Sequence, residues 1–303
     1  MTANILDGAS LAKSIRVALA QEVVDWSATG KRLPGLAVIL VGDDPSSQVY
    51  VKGKERDCKE VGFYSIVERL PNSITQNELE EIVLAFNLNP KIDGLLVQTP
   101  LPAQINEDRI IDLIDPSKDV DGFHPYNMGR LAIRRPALRC CTPMGIMQML
   151  DHIGTKYHGL ETTIIGASNH VGRPLTLELL LAGCTVTTTH KFTQNIASKV
   201  KSADLVISAV GKPGLVPAEW IKPGAIAIDV GITRDVNGKL HGDFQFEEIK
   251  KIASWITPVP GGVGPMTRAS LLQNTMQAAR ETAESAEEEE VKTPHSSPDE
   301  VII

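Results

Sequence analysis

Residues 36–60, LAVILVGDDPSSQVYVKGKERDCKE, run without a break from an apolar stretch through a turn into a charged, amphipathic one. The apolar run 36–41 predicts a strand of a parallel sheet that is covered on both faces. Gly42-Asp43-Asp44-Pro45 supplies a turn, and Ser46 or Ser47 is placed to cap the helix that follows. That helix starts at the carboxyl end of a strand, where open α/β sheets bind their ligands. Ser47, Tyr50 and Lys54 stand at i, i+3 and i+7 and so share one face of it. A lysine beside an apolar pocket loses the solvation that favours its charged form and becomes able to exchange protons. A tyrosine one turn away can stack on a flat ligand. The competing reading is a solvated helix, because Lys52, Lys54, Arg56 and Lys59 lie among Glu55, Asp57 and Glu60. The position at a strand exit favours the functional reading.

The same alternation extends to either side. Residues 11–26 carry apolar positions at helical spacing, 63–70 reads as a short strand, and 74–89 as a helix. Gly94–Gln98 is a second buried strand, stopped by Pro100 and Pro102. Gln98 therefore sits at a strand's carboxyl end beside the first strand's exit, where it can hydrogen-bond the lysine amine or serve as an ordinary strand-end amide. The segment 118–131, KDVDGFHPYNMGRL, reads as an irregular loop. Asp121 in it can accept paired hydrogen bonds from an amino-pyrimidinone. Asp119 and Asp121 are alternatively turn residues or, least favoured, metal ligands, since no further acid or histidine clusters with them. His124 reads as a loop histidine. Residues 141–153 predict a helix that bridges two domains.

A second α/β unit follows, with a strand at 161–168, a helix at Gly172–Ala182 and a strand at 184–190. Its turn, Gly166-Ala167-Ser168-Asn169-His170-Val171-Gly172, is close to the dinucleotide fingerprint, but Ser168 replaces the second glycine and the spacing is longer by one. Gly166 allows a tight turn, and Gly172 allows the helix N-terminus to approach a pyrophosphate; a purely structural turn is the alternative. An NAD-preferring fold places an acid at the end of the next strand, whereas here stand His190 and Lys191, which favours a 2′-phosphate and hence NADP. Arg173 either reinforces that preference or balances charge at the helix start. Further strands end in Gly211-Lys212-Pro213 and in Gly231-Ile232, and the loop 256–267, ITPVPGGVGPMT, reads as ligand-facing. A last helix is expected from Met266 to Ala286, and residues 287–303 as an acidic, disordered tail.

At 303 residues and 42% hydrophobic, the chain has enough apolar material for two cores. The expected fold class is α/β, with two α/β domains flanking a cleft and the second Rossmann-like. The first comprises residues 1–140 completed by helix 266–286, and the second residues 141–265. A net charge of −7 argues against nucleic-acid partners. No apolar run approaches the roughly 20 residues a membrane span needs, and the N-terminal residues lack a signal-peptide pattern, so a cytoplasmic location is expected. Cys58, Cys140, Cys141 and Cys184 show no CxxC spacing and read as reduced and structural, with Cys141 a candidate to border a site.

YVKGKERDCKEVGF, GLLVQTPLP, DVDGFHPYNMGRL, CTPMGI, GASNHVGRP, AVGKPG, IDVGI and TPVPGGVGPMT, in this order, closely resemble the bifunctional methylenetetrahydrofolate dehydrogenase/methenyltetrahydrofolate cyclohydrolase family, nearly to Ala283. The resemblance implies oxidation of 5,10-methylenetetrahydrofolate with NADP and hydrolysis of the methenyl product to 10-formyltetrahydrofolate, in one-carbon metabolism. It implies that Lys54 moves protons, Tyr50 stacks on the folate, Gln98 pairs with the lysine and Asp121 grips the pterin. Ser47, Val97, Pro100, Gly261, Gly262 and Pro265 are implied as substrate-binding, and Ala167, Ala209 and Ile232 join Gly166, Ser168, Gly172, Arg173, His190, Lys191 and Gly211 as cofactor-binding. Tetrahydrofolate derivatives are the implied partners, with a homodimer, no metal, no membrane and no nucleic acid. Ala167 stands where many members carry an arginine for the 2′-phosphate, with Lys191 the compensating cation, and Thr99 stands where leucine is usual. Two other readings stay open: a dehydrogenase without cyclohydrolase activity, and a folate- or nucleotide-binding protein without catalysis.

Overall fold

The computed structural model describes residues 2–292, and the side chains of residues 2–287. The chain opens with a short strand, β1 (Asn4–Ile5), and helix α1 (Gly8–Ala28), whose first turn is capped by the Asp7 carboxylate accepting from Ser10 N at 3.0 Å. The strand β2 (Gly35–Val41) is buried along its whole length, as its unbroken apolar sequence requires. Helix α2 (Pro45–Val61) follows at once, with Pro45 in its first turn. Its cap is neither Ser46 nor Ser47 but Asp44, whose carboxylate accepts from Ser47 N at 2.7 Å. A carboxylate satisfies an orphan amide as well as a hydroxyl does and also favours the positive helix end.

β3 (Tyr64–Leu70), α3 (Gln76–Leu88) and β4 (Gly94–Gln98) come next. They complete a parallel three-stranded sheet in the order β3-β2-β4. Successive residues of β2 serve opposite cores: Leu36, Val38 and Leu40 pack towards α1 and α2, while Ala37, Ile39 and Val41 pack towards α3.

Two helices then appear where sequence patterns gave none, α4 (Glu107–Leu113) and α5 (Pro125–Ala132). The second lies in the segment read as irregular. Pro125 occupies its first turn, His124 Nδ1 accepts from Tyr126 N at 3.0 Å, and the turn-favouring Asn127 is buried inside it, donating to Asp119 at 2.9 Å. Helix α6 (Cys141–His152) leads to the second unit.

That unit comprises β5 (Glu161–Ile165), α7 (Gly172–Ala182), β6 (Thr185–Thr189), α8 (Ile196–Ser202), β7 (Leu205–Ser208), β8 (Ile226–Asp229), the small hairpin β9 (Thr233–Arg234) and β10 (Leu240–His241), α9 (Phe246–Ile249) and β11 (Trp255–Ile256). Its parallel sheet has the order β1-β11-β8-β7-β5-β6. The N-terminal strand thus joins the second sheet, pairing with β11, and α1 then returns the chain to the first.

The last helix, α10 (Val263–Lys292), starts earlier and ends later than the expected 266–286. Glutamates are good helix formers, so the acidic stretch prolongs the helix rather than breaking it. The part of the expected disordered tail at 293–303 lies outside the described residues. Val263, Met266 and Ala269 of α10 pack in the core of the second sheet, and Leu271, Leu272 and Met276 in that of the first. Helix α6 behaves likewise, with Cys141 in one core and Ile146, Met149 and Leu150 in the other. The two helices bridge the sheets.

Candidate active site

Strands β2 and β4 are neighbours with Leu40 opposite Gln98, so the helix leaving β2 passes directly over the end of β4. Lys54, 8% exposed, sends its Nζ to Gln98 Oε1 at 3.1 Å. The other end of that amide donates to the Thr99 carbonyl at 2.9 Å, which keeps the oxygen turned towards the amine. Tyr50, one turn earlier, is 37% exposed and reaches solvent, while Ser47 is buried with its hydroxyl unpartnered. Val97 is buried within β4, and Pro100 is exposed just after it.

The two acids of the 118–131 segment separate cleanly. Asp119 is buried and accepts from the amides of Gly122, Phe123 and His124 and from Asn127, so it is a turn-forming residue. Desolvation nevertheless pushes its carboxyl above the ordinary range. Asp121 is half-buried, and among the described hydrogen bonds only its backbone carbonyl is engaged, by Cys141 N at 3.3 Å. Cys141 feels the charges of both Asp121 and Lys54, which places it at the border of the site, but complete burial pushes its thiol far up and makes it inert. Burial also pushes Cys58, on the inner face of α2, up to about 12.

A cavity opens beside this helix. Ser46, Val49 and Tyr50 of α2 form one wall, Ile232 and Arg234 the other, and the loop 258–265 with Arg268 the floor. It unites Tyr50, Gly261, Gly262 and Pro265 with Ile232. Lys54, Gln98, Asp121 and Ser47 lie outside its walls.

The turn after β5 is built for close approach. Gly166 has φ +115°, and a Cβ there would stand 2.5 Å from the Ala209 carbonyl; a Cβ on Gly172 would stand 1.9 Å from the Gly166 carbonyl. No side chain fits at either position, which is what a backbone cradle for a pyrophosphate at a helix N-terminus requires. Ser168 Oγ accepts from Val171 N at 3.2 Å, which tightens the turn before α7, while Arg173 Nε donates to the Ala167 carbonyl at 3.0 Å. His190 and Lys191 are exposed at the end of β6; His190 Nδ1 accepts from Phe192 N, and the Lys191 ammonium sits 4.9 Å from the Phe192 ring centre.

Sequence patterns missed two buried carboxylates at the adjoining strand ends. Asp243 accepts from Ser208 Oγ, Val210 N and Lys212 N at 2.7–2.8 Å. Asp229 accepts from the amides of Gly231, Asp243 and Phe244 at 2.9–3.0 Å. Together they fix the loops that carry Ala209, Gly211 and Ile232. Burial raises the Asp229 carboxyl to about 6 despite those donors. Arg268 was missed as well. Among the described residues no three His, Cys, Asp or Glu side chains converge as metal ligands, and no helix is long and apolar enough to cross a membrane.

A dry lysine–amide pair at the edge of one sheet and a glycine cradle at the edge of the other, with a cavity between α2 and the loop 258–265, define a two-domain enzyme that brings a substrate and a dinucleotide to one cleft. Residues 6–121 match the catalytic domain of tetrahydrofolate dehydrogenase/cyclohydrolase, and residues 140–283 match that family's NAD(P)-binding domain. The chain belongs to the tetrahydrofolate dehydrogenase/cyclohydrolase family. A solved structure of the bifunctional methylenetetrahydrofolate dehydrogenase/cyclohydrolase from Campylobacter jejuni is 45% identical, with TM-score 0.90, covering 92% of this chain and 99% of that one. The Trypanosoma brucei enzyme, solved with NADP and an inhibitor, is 38% identical at TM-score 0.89, over 93% of this chain and 99% of its own. A 5,10-methylenetetrahydrofolate dehydrogenase from the silkworm Bombyx mori is 40% identical at TM-score 0.88, with the same coverages of 93% and 99%.

Proposed function

We propose that one cleft of this protein carries out both reactions, oxidation of 5,10-methylenetetrahydrofolate with NADP and hydrolysis of the methenyl product to 10-formyltetrahydrofolate. The observation that carries this reading is the Lys54–Gln98 hydrogen bond at 3.1 Å on the helix that also bears Tyr50. The lysine's partner is a neutral amide, so the amine can pass a proton without breaking an ion pair. In the hydrolysis, water adds to the cationic methenyl carbon, Lys54 takes the proton from the new hydroxyl, and the carbon–N5 bond breaks as N5 is protonated. Gln98 holds the amine in place, Tyr50 supports the flat ring system, and Asp121, whose carboxylate has no protein partner among the described hydrogen bonds, takes the amino-pyrimidinone edge. Ser47, Val97 and Pro100 complete the folate side, with Gly261, Gly262 and Pro265 between folate and nicotinamide.

NADP supplies the acceptor for the electron pair leaving the methylene carbon. The Gly166–Gly172 turn, in which a Cβ would collide, suits its pyrophosphate. Arg173 and Lys191, with His190 beside them, are the cations available to a 2′-phosphate, and Ala209, Gly211 and Ile232 flank the nicotinamide half. The same reading assigns the folate role to residues 1–140 with helix 266–286 and the cofactor role to 141–265. It carries a homodimer through the cofactor domain and a cytoplasmic setting, in keeping with four free, buried cysteines. The one-carbon product would serve purine biosynthesis. Initial rates with NADP and separately with NAD test the cofactor assignment. Wild type is expected to favour NADP, and Lys191→Ala to lose roughly tenfold in kcat/KM for NADP alone, the scale of one exposed phosphate contact. Preference for NAD would contradict it.

A further inference from the structure

Arg268, in the second turn of α10, lines the cavity beside Tyr50, and neither reaction step uses it. Its Nε donates to Asp57 at 2.6 Å, and the buried Asp57 also accepts from Arg56 at 2.8 Å. Two guanidinium groups around one carboxylate leave a positive charge uncompensated. The Arg56 side chain is 66% exposed and points to solvent, whereas that of Arg268 is 21% exposed. Arg268 lies flat against α2 at Gly53, where an ideal Cβ would be 3.3 Å from its Cδ and 3.4 Å from its Nε. The missing side chain at Gly53 therefore makes room for the guanidinium between the turns that carry Tyr50 and Lys54. A guanidinium offers five N–H donors. Among the described hydrogen bonds only its Nε is used. The other cation on the cavity wall, Arg234, stands on the opposite side, is exposed and donates Nη1 to the Gly238 carbonyl at 2.7 Å.

A tetrahydrofolate joins its reduced pterin through an aminobenzoyl group to glutamate, so its far end is a dicarboxylate. Tyr50 and Arg268 line the same cavity, so a tail leading on from an aryl group stacked at Tyr50 comes within reach of Arg268. We propose that Arg268 is the docking cation for a carboxylate of the substrate's glutamyl tail, with Asp57 as the residue that positions its fork. A planar guanidinium held from behind by a carboxylate presents its outer edge for bidentate recognition of an anion. The inference rests on the folate reading above.

The test compares 5,10-methylenetetrahydrofolate with 5,10-methylenetetrahydropteroate, which lacks the glutamate, in wild type, Arg268→Gln, Arg268→Lys and Arg234→Gln. Arg268→Gln is expected to raise KM for the glutamylated substrate on the order of tenfold, the effect of one charge-assisted contact, with kcat unchanged. KM for the pteroate should match wild type, and Arg268→Lys should fall between. Equal rises on both substrates would show that Arg268 only braces α2 through Asp57, and would overturn the proposal. No rise at all, or a tail-dependent rise in Arg234→Gln instead, would overturn it too. Wild-type turnover of neither substrate would fail the folate reading itself, a result separate from a wild type that works and an arginine that does not discriminate.

Discussion

Asp229 carries a pH signature of its own. Its carboxyl sits at about 6 in the folded chain against an ordinary 3.8, because burial disfavours the charged form more than its amide donors favour it. Below 3.8 both folded and unfolded states are protonated and nothing is lost. As pH rises from there to about 6, the folded state keeps a proton that the unfolded state has released, so stability falls through that window. Above it the full cost, about 3 kcal/mol, remains. Unfolding free energy measured from about pH 4 to pH 6 should therefore decline less steeply in Asp229→Asn than in wild type; equal slopes would contradict the assignment. At this scale the sequence was informative wherever a functional side chain stood at a strand exit. Lys54 and Gln98 were readable because strand end and helix start adjoin, and they do meet. Asp229, Asp243 and Arg268 were not readable, since their partners are backbone amides and a carboxylate far away in sequence. The Asp119–Asp121 ambiguity needed coordinates too, because only the hydrogen bonds reveal which acid the turn consumes.

Among the elements, α10 holds the site together from behind. Asn274, 1% exposed, sends its amide nitrogen to the carbonyls of Val120 and Arg139 at 2.8 and 2.7 Å, pinning both flanks of the segment that ends at α6. Asn274→Ala strips a buried and a half-buried carbonyl of this donor and should cost about 2 kcal/mol, seen as a lower urea midpoint with an unchanged slope. A midpoint within error of wild type would show that the bonds are replaced. Helix and strand identities were legible wherever periodicity was strong, as in β2, β4, β5 and α7. What escaped was structure stabilised by local chemistry or by distant pairing. Helix α5 is set by a proline and a histidine cap within a turn-rich segment, and β1 is a strand only because β11 lies beside it. The end of α10 escaped because an acidic run carries both a signature of disorder and the helix propensity of glutamate.

At the scale of the whole molecule, α6 and α10 contribute to the cores of both sheets, so the cleft between the sheets has a packed hinge side and an open side. The open side is where α2 faces the loop at 258–265 and Ile232. In the reading proposed above, the methylene carbon and the nicotinamide meet on this open side, and the methenyl product is hydrolysed at Lys54 in the same cleft. The two-domain α/β architecture was legible from the alternation of strands and helices, and so was the bridging helix at 141–153, but the crossing of α1 and α10 between sheets was not, because a continuous apolar helix does not say which core each turn enters. If one cleft serves both reactions and Lys54 is required for the second, the two activities separate when reduced cofactor and methenyl absorbance are followed together, with 5,10-methylenetetrahydrofolate and NADP, in wild type and Lys54→Met. The expected result is reduced cofactor without methenyl build-up in wild type, and methenyl accumulation alongside reduced cofactor in the variant. A variant that still clears methenyl product at the wild-type rate would contradict the assignment.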